Sequence, residues 1–194
     1  MEFKMKFNRL LLSALISSAM VISVSANAAD GTITFNGNVT ASACTSIVGA
    51  GPTGGTMTQP ATVTLPNVAS ETLNSSAGTL TGHTAFSIEL NGCEATVQLN
   101  NVRALFTTTT AAAGDSYIMG NTAVSGAGDV GIAILTPAGV QIDLNGGANA
   151  DPGETLPATS GNVTLNYLAA YKSLSTSVTA GPVTGVADYV ISYF

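Results

Sequence analysis

Few residues in this chain have the chemistry that catalysis needs. Its single histidine is His83 and its only cysteines are Cys44 and Cys93. A serine hydrolase would have to use His83 as base, yet no serine sits in the Gly-x-Ser-x-Gly setting that exposes such a nucleophile. Glu89 and Glu94 bracket Cys93 as a candidate carboxylate pair, but strand polarity reads them as two solvated side chains. Asp143, Asp151 and Glu154 surround a turn-rich loop, the one place where oxygen ligands for calcium could gather. Cys44 and Cys93 stand isolated, so no zinc-type cluster forms around them. The glycine-rich stretch Gly49–Gly55 lacks the Lys-Ser/Thr of a phosphate-binding loop and reads as a surface loop. No catalytic, cofactor-binding or metal-ligating set follows from these residues. The expectation is a protein that is not an enzyme and needs no cofactor.

Charge and targeting narrow the classes further. Residues 1–28 carry a basic start (Lys4, Lys6, Arg9), an apolar run from about Leu10 to Val24 and a closing Ala26-Asn27-Ala28. This is the pattern of a secretory signal cleaved after Ala28. No second long apolar run follows, so the mature chain is not expected to cross a membrane by helix. Of 11 acids and 5 bases, only Glu2, Lys4, Lys6 and Arg9 precede the cleavage point, leaving ten acids against Arg103 and Lys172, a net charge of −8. Such a surface argues against nucleic acid and anionic membranes as partners. Charged residues are only 8% of the chain, so Thr, Ser, Asn and Gln must supply most of the polar surface. An even cysteine pair in an exported chain reads as one disulfide, Cys44–Cys93, the alternative being two buried thiols.

The elements that position these residues are strands. Apolar positions recur in twos over Ile33–Thr40, Ala61–Leu65, Ala85–Leu90, Thr96–Phe106, Val130–Leu135, Val140–Leu144, Val163–Tyr171 and Ala187–Phe194. Turn chemistry separates them: Asn91-Gly92, Pro137-Ala138-Gly139, Asn145-Gly146-Gly147 and Asp151-Pro152-Gly153. Thr107–Ala113 reads as a strand end and loop, with a weak signal for a helical turn. VGIAILTPAGVQIDLNG predicts a hairpin from Val130 to Leu144. Many short strands without intervening helices predict an antiparallel sandwich.

The two ends of the mature chain raise a question of their own. Ala29–Cys44, ADGTITFNGNVTASAC, alternates with Gly31, Ile33, Phe35, Gly37 and Val39 in one register. The other end, ADYVISYF, puts Tyr189, Ile191 and Tyr193 on one face and Val190 and Phe194 on the other. A half-apolar strand at a free end is an aggregation hazard unless it pairs. The two ends can pair within one molecule, as in many sandwiches, or each can pair with another chain.

Several motifs together resemble one family. ADGTITFNGNVTASAC resembles an N-terminal extension that ends at a first cysteine. FSIELNGC (Phe86–Cys93) resembles the strand carrying the second. VGIAILTPAGVQIDLNG resembles the middle hairpin, and LNYLAAY (Leu165–Tyr171) the penultimate strand region. Gly181 stands fourteenth from the end and Tyr193 is penultimate. In order and spacing the mature chain resembles chaperone–usher pathway fimbrial (pilus) subunits of the type 1 major-subunit kind.

That resemblance implies an all-β, incomplete immunoglobulin-like antiparallel sandwich, the pilin fold, which lacks its last strand. It implies a signal peptide over 1–28, a donor-strand extension over 29–43 and a sandwich domain over 44–194. The extension, through Gly31, Ile33, Phe35, Gly37 and Val39, would complete the neighbouring subunit in trans. Gly31 departs from the larger apolar residue that relatives often carry there. A periplasmic chaperone would first lend a strand to the C-terminal segment, through Gly181, Tyr189, Ile191 and Tyr193, and hold the Phe194 carboxylate. An outer-membrane usher would receive the subunit. The product would be an extracellular, cell-surface adhesive fimbrium of identical or related subunits joined head to tail, without direct membrane insertion. A shaft subunit is the first expectation. A minor adaptor with adhesive contacts, or a self-contained secreted binding sandwich closed in cis, are the alternatives.

Overall fold

The computed structural model describes residues 43–52, 61–147 and 150–194. The expected signal segment, the expected Ile33–Thr40 strand and the five expected donor-strand residues lie outside the described residues. Ten strands and one helical turn follow in order: β1 Ser46–Pro52, α1 Ser70–Leu73, β2 Leu80–Cys93, β3 Asn101–Thr107, β4 Ala111–Ala112, β5 Asp115–Gly120, β6 Val130–Leu135, β7 Gln141–Ile142, β8 Glu154–Thr155, β9 Gly161–Ser173 and β10 Asp188–Tyr193. The protein is all-β, and among the described residues every ladder is antiparallel.

Two sheets form. The larger runs β1-β2-β9-β6-β5-β4, with β7 paired to β6; the smaller runs β10-β3-β8. Alternation decides what lies between them, because successive strand residues face opposite ways. β2 contributes Phe86, Ile88 and Leu90, and β9 contributes Val163, Leu165, Tyr167 and Ala169. Val102, Ala104 and Phe106 of β3 face them from the smaller sheet. Phe106 packs edge-on against Tyr167, ring centroids 4.9 Å apart, and also meets Phe86 at 6.3 Å. β6 is buried on both faces; its Ala133 and Leu135 join Ile118 and Ala170 in a second cluster.

Five sequence expectations need correction. Thr96–Asn100 of the expected Thr96–Phe106 strand lies outside β3, which begins at Asn101. Gly49–Pro52 of the expected glycine-rich loop belongs to β1, paired to β2 from Ser46↔Asn91 to Pro52↔Phe86. Glycine-rich sequence hides a strand whose ladder is supplied by a distant partner. Asn91-Gly92 is not a turn between strands. It lies inside β2, where Gly92 takes φ +60 at an irregularity of the β2–β9 ladder between Leu90 and Cys93. That is a bulge position, which suits glycine. Ala111–Ala112, read as loop or helical turn, pairs with β5 instead. Ala61–Leu65 keeps its alternation, with Ala61, Val63 and Leu65 half-buried, but forms no strand. The predicted β6–β7 hairpin is present, with Ile134↔Ile142 and Leu135↔Gln141 paired across Thr136–Val140. Cys44 and Cys93 form the expected disulfide, and both are buried.

Candidate functional site

The core is sealed unevenly. On β3, the inward residues Val102, Ala104 and Phe106 are 0, 1 and 3% exposed. One ladder position away, the inward residues of β10, Tyr189, Ile191 and Tyr193, are only half-buried. The half-buried row extends back before the strand through Val183, Gly185 and Ala187. Ala61, Val63 and Leu65 form a second half-buried row against the same core. Among the described residues, β10 has one ladder neighbour, β3. Asn67 and Val68, just after the second row, and Pro182 and Val183, at the start of the first, line a cleft of about 350 Å³ with Leu73, Val130, Tyr171 and Val178. The inward face of β10 is therefore incompletely covered.

Local structure explains how β10 is held. β10 pairs with β3 over six positions, from Asp188↔Thr107 to Tyr193↔Val102. Beneath it, Tyr189 and Phe106 bring their rings within 6.3 Å. Gly181 sits where the backbone of Ala127 approaches so closely that an added Cβ would lie 2.6 Å from its nitrogen. The glycine admits that contact. At the other end, the Phe194 main-chain oxygen accepts the Asn100 and Asn101 N–H groups, each at 2.9 Å, and Phe194 N–H donates to Asn101 O.

A buried polar network supports the floor. Tyr167 Oη donates to Asp151 Oδ2 at 2.7 Å and accepts the Ala104 N–H at 3.1 Å. Asp151 Oδ1 accepts the Gly153 N–H, and Arg103 donates to Asp151 O. Burial, reinforced by the Asp151 carboxylate, holds the Tyr167 hydroxyl far above the usual phenol range, while the Ala104 N–H pulls it back. The unfolded tyrosine ionises near pH ~10, so above that pH the folded state binds more protons and stability falls as pH rises. Tyr167→Phe is expected to cost roughly 1–3 kcal/mol at pH 7, because a buried amide and a buried carboxylate each lose a partner. It should also flatten the alkaline loss. Urea unfolding midpoints at pH 7 and pH ~10.5 test this; equal alkaline slopes in both proteins would contradict it.

The other sequence candidates do not assemble. His83 is exposed on β2, Glu94 and Glu154 are exposed, and Asp151 is committed to Tyr167 and Gly153. Among the described residues, no group of three His, Cys, Asp or Glu side chains could hold a metal ion. None of their helices is long and apolar enough to cross a membrane. Sequence reasoning missed Asn121 and Arg103, which lie 63 and 91 residues from their partners near the chain end. No local pattern marks such pairs.

Comparison with known proteins gives a consistent pattern. Residues 33–194 match the family model described as fimbrial protein. The F17 fimbrial protein of Escherichia coli is 37% identical over 196 residues, covering 98% of each chain. The major fimbrial subunit SMF-1 of Stenotrophomonas maltophilia is 31% identical over 175 residues, covering 88% of this chain and 96% of that one. Among solved structures, the P pilus rod subunit PapA aligns at TM-score 0.55 and 20% identity, covering 79% of this chain and all of that one. A chaperone-usher pilus structure, studied for rod uncoiling, aligns at 0.55 and 20%, covering 86% and 96%.

Proposed function

The chain belongs to the fimbrial protein family and is a structural subunit of a fimbria, and from that premise we propose that it polymerises by donor-strand exchange. The half-buried row of β10 beside the sealed row of β3 carries this reading. A strand laid along the flank beyond β10 would finish the core and extend the ladder. The extension supplies such a strand, since Ile33, Phe35 and Val39 share one face with Gly31 and Gly37. Burying the three apolar side chains contributes roughly 1.5–3 kcal/mol each, as an upper figure. A head-to-tail contact of this kind does not close on itself and builds a filament.

Export through the periplasm, a chaperone that covers the flank before assembly, and an outer-membrane usher complete the proposal. Gly181, Tyr189, Ile191, Tyr193 and Phe194 would meet the chaperone. The role is structural rather than catalytic, at the cell surface. Similarity to a major fimbrial subunit favours a shaft position over an adaptor.

The register of the extension tests the proposal. Gly37→Leu places a large side chain toward the floor, and such overpacking costs roughly 1–3 kcal/mol. Lost backbone freedom in the free strand offsets less than about 1 kcal/mol of that. Asn36→Leu, on the opposite face, should be much milder. The measurement is the exchange rate of Ala29–Val39 peptides carrying each change into a chaperone-bound subunit. Equal rates would refute the register, and a more harmful Asn36 change would mean that the other face is buried.

A further inference from the structure

The C-terminal strand has a weak register code of its own. Its inward positions are Val183, Gly185, Ala187, Tyr189, Ile191 and Tyr193; its outward positions include Val186, Val190 and Phe194. Both faces carry apolar residues, two of the inward positions are small, and outward Val190 is 66% exposed. Register is pinned where one face is apolar and buried, and a one-residue slip exchanges the faces. Here the inward face is only half-buried, so a slip loses little burial. Something other than hydrophobic pattern must fix the strand.

Both ends of the segment carry a side-chain fastening. At its entry, Asn121 uses its full hydrogen-bonding capacity. Nδ2 donates to Pro182 O at 3.0 Å and to Ala127 O at 2.9 Å, while Oδ1 accepts Thr184 N–H and Ala123 N–H, both at 3.0 Å. Thr122 adds a backbone N–H and its hydroxyl to Thr184 O. At its end, the Arg103 guanidinium lies 4.0 Å from the centre of the Phe194 ring, beside the Asn100 and Asn101 amides that hold the Phe194 oxygen. Arg103 is itself tied to Asp151 O, and its buried Nε has no hydrogen-bond partner. Burial of that donor is tolerated where the flat cation stacks on an aromatic face.

We propose that Asn121 and Arg103 are positioning residues that clasp the segment Pro182–Phe194 at its two ends and set the register of β10. The clasp gives the flank a pre-registered edge, so that an arriving strand meets a ladder already aligned and is spared the cost of ordering it. Its purpose rests on the strand-exchange reading; its existence does not.

Cysteine trapping in the full-length chain reads the register directly. Leu105 and Val190 are opposite each other, so Leu105→Cys with Val190→Cys should cross-link in the parent, and Leu105→Cys with Ile191→Cys should not. Adding Asn121→Ala and Arg103→Met should raise the slipped 105–191 cross-link about tenfold at the expense of 105–190. Asn121→Asp keeps both accepted bonds and loses both donated ones, so it should give an intermediate slip and serves if the double change prevents folding. An unchanged cross-link pattern in these variants overturns the clasp. In parallel, uptake of the Ala29–Val39 peptide is measured on the same proteins. A slip accompanied by slower uptake supports the clasp and its purpose. A parent that takes up no peptide while its variants still slip overturns strand exchange and leaves the clasp standing.

Discussion

Removing Ala29–Ala41 is expected to leave a subunit that folds, oxidises and binds its chaperone, yet terminates every filament it joins. The deletion stops before Cys44, whose bond to Cys93 anchors the chain to the end of β2. The backbone on either side of the cysteine is also tied down: Glu94 N–H donates to Ala43 O and Thr45 N–H donates to Asn91 O. The proposed receiving side, β10 with the 61–65 row, is untouched. What disappears is the proposed donor strand with Ile33, Phe35 and Val39, together worth several kcal/mol by area at roughly 1.5–3 kcal/mol each. The ladder it would have formed is lost as well. Each 1.4 kcal/mol is tenfold in an equilibrium constant, so the contact should weaken by about three orders of magnitude or more. Electron microscopy of filaments grown with increasing fractions of truncated subunit should show lengths that fall in proportion. Filament lengths unaffected by the truncated subunit would mean that the extension is not the donor.

Replacing Cys44 and Cys93 together by Ala should be the most damaging change within the sandwich. The bridge spans a sequence separation of 49 and closes a long loop. Chain-entropy arithmetic gives such a loop roughly 4 kcal/mol. That is a large part of the 5–15 kcal/mol on which a typical domain of about this size depends. The loop contains β1, α1 and most of β2, so the unfolded chain gains freedom across the segment that must find β9. Cys93 is fully buried, and Ala leaves no unsatisfied polar group there. Denaturant unfolding of the oxidised parent and the double variant measures the difference. A loss below about 1 kcal/mol would show that the bridge constrains little that the ladders have not already fixed.

What the sequence made legible was local. The β6–β7 hairpin announces itself because an apolar run, a Pro-Ala-Gly turn and a second apolar run lie within fifteen residues of one another. β9 was plain where Val163, Leu165 and Tyr167 alternate with polar residues, and β10 was legible from Tyr189, Ile191 and Tyr193 on one face, although Val190 also makes its other face apolar. β1 was hidden because its glycines carry no apolar pattern, and only β2 makes it a strand. β4 and β8 are two residues each and exist through their partners. Gly92 has the composition of a turn but serves as a bulge inside β2, a choice made by the β9 ladder. The alternation of Ala61–Leu65 was legible, and its lack of a ladder was not, because pairing belongs to the neighbour and not to the segment. The same limit covers the floor of the flank. Tyr167, Asp151 and Ala104 meet across 16 and 63 residues, and no spacing rule connects them. Gly181 stood out by its position near the chain end, but its reason, the backbone of Ala127, required the fold.

Residues 29–39 are proposed to complete another copy and not their own. Filaments assembled from an equal mixture of isotopically light and heavy subunits, with Phe35 and Ile191 replaced by photo-cross-linkable residues, test it directly. After irradiation and digestion, mass spectrometry identifies peptides joining the extension to the 183–193 segment. Strand exchange between copies predicts that light–heavy pairs make up about half of those cross-links, as random head-to-tail pairing requires. Cross-links found only as light–light and heavy–heavy pairs would place the extension on its own sandwich and contradict strand exchange between copies.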